Sequence, residues 1–259
     1  MVNMNNLTVI IPVHKFDDNI ERLLKTAVNS VPQDIPIIIV ANTSAAEDLL
    51  YTTTEANNIS VLSSESTTFC GLVNAAVEKV DTQWFSILEF DDVYTKIWFN
   101  EVEKHIKYKP NVSVFMPLTD LMDFEDSKFI GYGNESVWAS SFSNELGYVD
   151  YDCLQNFFDF YLTGSVFNKD DWKAIGGLKN SIKLTFWYEF LLRATHNNKK
   201  IFVIPRVGYV HYLNREGSLI KEYSSTIDEK ESEGWISIAK KEHFFNKDRG
   251  KVYEKEEGD

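Results

Sequence analysis

The chain has 259 residues, 44% of them apolar and 14% aromatic, which excludes a disordered or fibrous protein. That length is enough for one large α/β domain or two small ones with a substantial core. The formal net charge of -13 disfavours non-specific attraction to nucleic acid or to an anionic membrane surface. In chain order, "LTVIIPV" (7–13) predicts a strand, and "DDNIERLLKTAVNSV" (17–31) a helix with acidic residues in its first turn. "IPIIIVA" (35–41) is the continuous apolar run of a strand covered on both faces. "SAAEDLLYTTTEAN" predicts a second helix, with Ser44 and Glu47 in capping-box spacing. A strand at 59–63, a helix at 71–80, a strand at 84–90, a helix at 97–108 and a strand at 112–118 follow. This repetition predicts a parallel sheet wound by right-handed crossovers.

After residue 118 the rhythm breaks. Residues 119–162 are aromatic, acidic and irregular, too rich in Phe and Tyr for a solvated tether. Order returns with "GSVFNKDDWKAIGG" (164–177), a helix at 186–198, and paired strands "KIFVIP" and "VGYVHYL". A charged tail, 222–259, carries one helix through "EGWISIAKKEHFF". The cysteines, Cys70 and Cys153, form neither a metal knuckle nor a redox pair. No basic leader opens the chain and no apolar run approaches the roughly 20 residues of a membrane span, so a cytoplasmic location is expected.

One stretch carries chemistry. In "WFSILEFDDVY" an apolar strand stops on Glu89, Asp91 and Asp92. Ligands of an open parallel sheet bind beyond the carboxyl ends of its strands. Clustered carboxylates there suit a hard divalent cation, Mn²⁺ or Mg²⁺, shared with a phosphorylated substrate. The plainer alternative is a strand that ends in a solvated acidic turn.

Taken in order, "TVIIPVHK", "IIIVANTS", "GLVNAAVEKVDTQWFSILEFDDVY" and "GSVFNKDDWKAIGGL" resemble family 2 glycosyltransferases of the GT-A fold, over roughly residues 7–220. The resemblance implies a Rossmann-like α/β domain at 1–221, with a nucleotide-binding half (1–117) and an irregular acceptor-side half (118–221). It implies metal-dependent transfer of a sugar from a nucleotide-diphosphate sugar to an acceptor hydroxyl, with inversion. By the same resemblance Asp92 would ligate the metal, Asp91 would meet the ribose or the metal, and Glu89 would assist. Pro12, Val13 and His14 would line the nucleoside slot, Asn42 would reach the base, and Asn74 matches the Asn of the helix before the metal strand. His211 and Arg215, in "VGYVHYLNREGSL", would approach the diphosphate as metal ligand and as counter-charge.

Two departures stand out. The second strand ends "VANTS" where the family has adjacent aspartates, and Phe186 and Trp187 occupy the place of a Glu-Asp pair whose Asp is the general base. Glu189 is a substitute candidate, although with Arg193 it also makes an ordinary i, i+4 helix pair. Asp150, Asp152, Asp159, Asp170 and Asp171 are further candidates among which the sequence does not choose. A catalytically degenerate binding module is therefore an alternative. A nucleotidyltransferase is a second, disfavoured because "IPVHKFDDN" contains no glycine-rich triphosphate loop.

Overall fold

The computed structural model describes residues 6–14, 19–46, 49, 58–216, 218, 221 and 226–251. A ten-stranded sheet runs in the order β3-β2-β1-β4-β9-β6-β10-β5, with β7 beside β6 and β8 beside β10. Its parallel part consists of β1 (Leu7–Val13), β2 (Ile37–Asn42), β3 (Ile59–Ser64) and β4 (Trp84–Ile87). Every residue of β1 is buried, because both faces are covered. Val9, Ile11 and Val13 face a layer formed by α1 (Ile20–Asn29) and α3 (Trp98–Tyr108), whereas Ile10 faces the opposite layer. That opposite layer holds α2 (Phe69–Val77), α5 (Lys169–Ile175) and α6 (Phe186–His196). Farther out, α7 (Glu229–Glu242) packs on α6 through the buried Trp235 and Ala239.

The second half of the sheet is mixed. The long β6 (Val112–Asp123) runs parallel to β10 (Lys200–Leu213), while β9 (Val166–Asn168) lies antiparallel between β4 and β6. Passing through one reversed strand twice leaves β4, β6 and β10 pointing the same way. Their carboxyl ends, with those of β1 and β2, therefore open on one edge. The short β5 (Val93–Tyr94) pairs antiparallel with β10, Tyr94 opposite Tyr209 and Val93 opposite Val210.

Several expectations need correction. The strand expected at 84–90 stops at Ile87, after which residues 88–92 leave the sheet in a turn. "KIFVIP" and "VGYVHYL" are one strand, with register shifts around Val207 that let Pro205 and Arg206 pass without a ladder partner. Within the stretch 119–162 short ordered elements alternate with irregular segments. The stretch contains the end of β6, the returning β7 (Phe129–Gly133), a 3₁₀ turn at Glu135–Trp138, β8 (Tyr148–Val149) and α4 (Tyr151–Asn156). Thr68 caps α2 by accepting the Gly71 N–H, so that helix starts two residues earlier than expected and ends at Val77. The starts expected at 17–18 and most of the second helix, including Glu47, lie outside the described residues. Residues 43–46 are helical, but the side chain that caps them is Asn42, whose Oδ1 accepts from the Ser44 N–H at 3.3 Å. Among the described residues no helix is long and apolar enough to cross a membrane.

Gly164 holds a left-handed φ of 80°, and a Cβ there would lie 2.3 Å from Cδ2 of the buried Tyr209. Gly164→Ala combines about 1–2 kcal/mol of left-handed backbone cost with that collision. A loss of at least about 2 kcal/mol in chemical denaturation is expected. A neutral result would contradict the packing described for Tyr209.

Candidate active site

The turn after β4 is built against β10. Leu88 N–H still donates to Ile10 O at 2.9 Å, and then Asp92 N–H donates to Glu89 O at 3.1 Å, which closes the turn. Because β5 pairs with β10 directly afterwards, Asp92 arrives beside His211. Asp92 is 1% exposed, and a carboxylate so buried must have partners. Its Oδ2 lies 2.7 Å from His211 Nδ1, and its Oδ1 accepts the Tyr212 N–H at 2.8 Å. Asp91 Oδ2 accepts from Arg215 Nε at 2.5 Å, and the Arg215 guanidinium lies 5.0 Å from the centre of the Phe90 ring. Glu89 N–H donates to the Tyr209 hydroxyl at 3.1 Å.

The electrostatics show an excess of negative charge. Burial, and then the charge of Asp92, push Glu89 from 4.5 up to about 8. Asp91 is raised as well, because burial and Asp92 outweigh the attraction of Arg215. Burial alone would lower His211, but the charge and hydrogen bond of Asp92, with Glu89 and Asp91 behind them, carry it up to about 9. Three acidic side chains thus crowd two cationic ones, and Glu89 holds its proton far above the usual carboxylate range; a divalent cation would displace that proton and neutralise the carboxylate in its place. Glu89, Asp92 and His211 each offer a ligand atom within 4.8 Å of the other two. With Nδ1 turned to Asp92, His211 keeps Nε2 as its ligand atom, the carboxylate–histidine arrangement common at metal sites. Carboxylate oxygens and one imidazole fit Mn²⁺ or Mg²⁺.

Beside this cluster is an aromatic floor. His14, at the end of β1, has its ring 5.9 Å from both Phe90 and Phe69. Phe69 in turn meets Phe186 at 5.5 Å and Trp187 at 6.1 Å. Trp187, which stands at the post of the expected base, stacks on Phe167 at 6.0 Å and 7°.

The sequence-derived residues divide accordingly. Glu89, Asp91, Asp92, His211 and Arg215 come together, and His14 reaches them through Phe90. Pro12 and Val13 are buried strand residues opposite Val40 and Ala41. Asn42 caps residues 43–46. Asn74 lies away from the cluster: its Nδ2 donates to Leu178 O at 2.7 Å and its Oδ1 accepts the Leu178 N–H at 3.0 Å. Its amide therefore ties α2 to the Gly176–Gly177 bend. Sequence reasoning missed Tyr209 and Tyr161, whose ring lies 5.7 Å from that of His211. Tyr209 and His211 alternate on one strand and so share a face, the only sequence signal that pointed to either tyrosine.

Glu189, the substitute candidate for the base, has both carboxylate oxygens engaged. It is fully buried, with Oε1 2.9 Å from Lys179 Nζ and 2.8 Å from Arg193 Nε, and Oε2 2.8 Å from Arg193 Nη2. Lys179 also donates to Glu242 O at 2.6 Å, and Arg193 to the carbonyls of Ile175 and Gly177. The i, i+4 pair anticipated with Arg193 is present, enlarged by Lys179 into a sealed network.

The mixed sheet, flanked by helices and carrying its acidic cluster at the strand ends, defines a GT-A-like fold. The profile of Glycosyl transferase family 2 matches residues 8–161, more than half the chain, and the protein belongs to that family. Among solved structures, S. aureus TarS residues 1–349 in complex with UDP-GlcNAc superposes with a TM-score of 0.64 at 14% identity, over 90% of this chain and 66% of that one. TarS 1–349 in complex with UDP gives 0.60 at 13% identity, over 92% and 72%. TarS itself gives 0.59 at 14% identity, and this chain spans 44% of its length. At such identities the likeness is one of fold. A search of curated protein sequences returns no match.

Two outcomes follow from this geometry. Glu189→Ala leaves Lys179 and Arg193 buried without their counter-charge, so a loss of about 3–5 kcal/mol is expected in denaturant titration. A near-neutral result would show that the network is not closed. The folded state also holds protons more tightly than the unfolded one at Glu89 and at His211. Glu89 thus costs stability as pH rises from 4.5 to about 8, and His211 loses its contribution as pH rises towards about 9. The metal-free protein is expected to show a falling thermal midpoint across that range; a flat or rising midpoint would contradict it.

Proposed function

We propose that this chain transfers a sugar from a nucleoside-diphosphate sugar, most directly a UDP-sugar, to an acceptor hydroxyl. The surplus of buried carboxylate at the sheet's carboxyl edge, in a chain of this family, carries the reading. Asp92, Glu89 and His211 would hold Mn²⁺ or Mg²⁺, which supplies Lewis-acid neutralisation of the diphosphate. Arg215, which contacts Asp91, would share the charge that develops as the diphosphate leaves. His14, Phe90 and Phe69 line the side where the nucleoside would lie. Residues 1–117 would hold the donor and 118–221 the acceptor, and attack from the face opposite the diphosphate would invert the anomeric carbon.

The substitution of Trp187 for the acid favours a second reading, in which the chain binds nucleotide or glycan without turnover. One assay separates the two: hydrolysis of a panel of nucleotide sugars with Mn²⁺, with Mg²⁺ and with chelator, beside calorimetric binding of UDP. The enzyme reading expects cation-dependent release of UDP, and a loss of roughly 100-fold or more in Asp92→Asn. Binding of UDP with no hydrolysis of any donor would leave the binding module.

A further inference from the structure

With Trp187 at the family's base post and Glu189 sealed, the proton of the attacking hydroxyl needs another acceptor. Most of the candidate carboxylates are already engaged. Asp150 accepts the Cys153 N–H at 2.8 Å and the Asn144 N–H at 2.7 Å, one on each oxygen. Asp152 accepts from Asn144 Nδ2 at 3.3 Å, Asp170 from Gln83 Nε2 at 3.1 Å, and Asp171 pairs with Lys199 at 2.5 Å. Asp159 is exposed and makes no hydrogen bond or ion pair among the described residues.

Its position is the stronger argument. Phe160 N–H donates to Phe158 O at 3.0 Å, so Asp159 stands at the apex of a tight turn. On one side of the apex the Phe158 ring meets Tyr188, the neighbour of Trp187, at 6.0 Å. On the other side the Tyr161 ring meets His211 at 5.7 Å. The turn therefore spans from the first turn of α6 to the acidic cluster. It is held firmly: Phe160 and Leu162 are buried, and Asn134, in a left-handed conformation with φ 71°, grips Tyr161. Asn134 Oδ1 accepts the Tyr161 N–H at 2.9 Å, and its Nδ2 donates to Tyr161 O at 2.8 Å and Pro117 O at 2.9 Å. Burial and then the charge of Asp159 raise the Tyr161 phenol, with Glu135 a lesser contributor, which agrees with this proximity.

We propose that Asp159 is the general base of this chain, an inference that rests on the glycosyl-transfer reading above. The hydroxyl oxygen forms its bond to the anomeric carbon while the bond from that carbon to the diphosphate oxygen breaks. The electron pair leaves with the nucleoside diphosphate, and the hydroxyl proton passes to the Asp159 carboxylate. Tyr161, two residues on from Asp159, connects the turn to His211 of the cluster.

The test uses the full chain with Mn²⁺ and UDP-GlcNAc or another turned-over UDP-sugar, with water as acceptor. Asp159→Asn is expected to lower kcat roughly 100-fold or more, with KM for the donor, UDP affinity and the thermal midpoint unchanged. Glu135→Gln, the exposed carboxylate nearest in role, and Asp152→Asn are expected to stay within about two-fold of wild type. Wild-type kcat in Asp159→Asn, or transfer of the loss to Glu135→Gln, would overturn the assignment and leave the transferase reading intact. A wild-type chain that binds UDP and hydrolyses no donor would overturn both.

Discussion

Asp92 is the point from which the site is organised. A carboxylate buried this deeply is stable only if both oxygens are engaged, and its two partners, the His211 ring and the Tyr212 N–H, are adjacent on one strand. That requirement fixes the turn after β4 against the end of β10 across 119 residues of sequence. The other members follow from the same docking. Glu89 is held through its backbone by Tyr209, two residues before His211, and Asp91 meets Arg215, four residues after it. The antiparallel pairing of β5 with β10 then sets the register.

A second buried ion network lies one helix away and has a different character. Around Asp92 acidic groups outnumber cationic ones and invite a ligand; around Glu189 two cations satisfy the carboxylate, and the carbonyls of Ile175, Gly177 and Glu242 accept the cations' remaining donors. The first is poised chemically and the second is structural. Phe186 and Trp187, at the start of the same helix, complete the change by filling the acid's usual place with aromatic surface that packs on Phe69 and Phe167.

Much of this could be read from residue order. Continuous apolar strands announced a sheet covered on both faces, and three carboxylates at the end of one of them announced the candidate site. What escaped depended on distant partners. Pro205 reads as the end of a strand, yet β10 absorbs it in a bulge because β6 continues alongside for its whole length. Residues 119–162 looked aperiodic because short strand segments, a 3₁₀ turn and a six-residue helix show too little of either period. Asn74 resembled a ligand-side residue, and its true partner, Leu178, lies 104 positions on. Nothing in the neighbourhood of His211 distinguished an outward residue from a buried one until Asp92 was beside it.

The bond from Lys179 to the carbonyl of Glu242 has a consequence for synthesis. Lys179, Glu189 and Arg193 are all made before α7, yet the shell of Lys179 is complete only once that last described helix has docked. On the ribosome the sheet's early strands can pair as they emerge, but the acceptor-side layer must wait with a lysine short of one partner until residue 242 clears the exit tunnel. Docking of this helix thus completes the hydrogen-bonding shell of a lysine already buried in the layer beneath it.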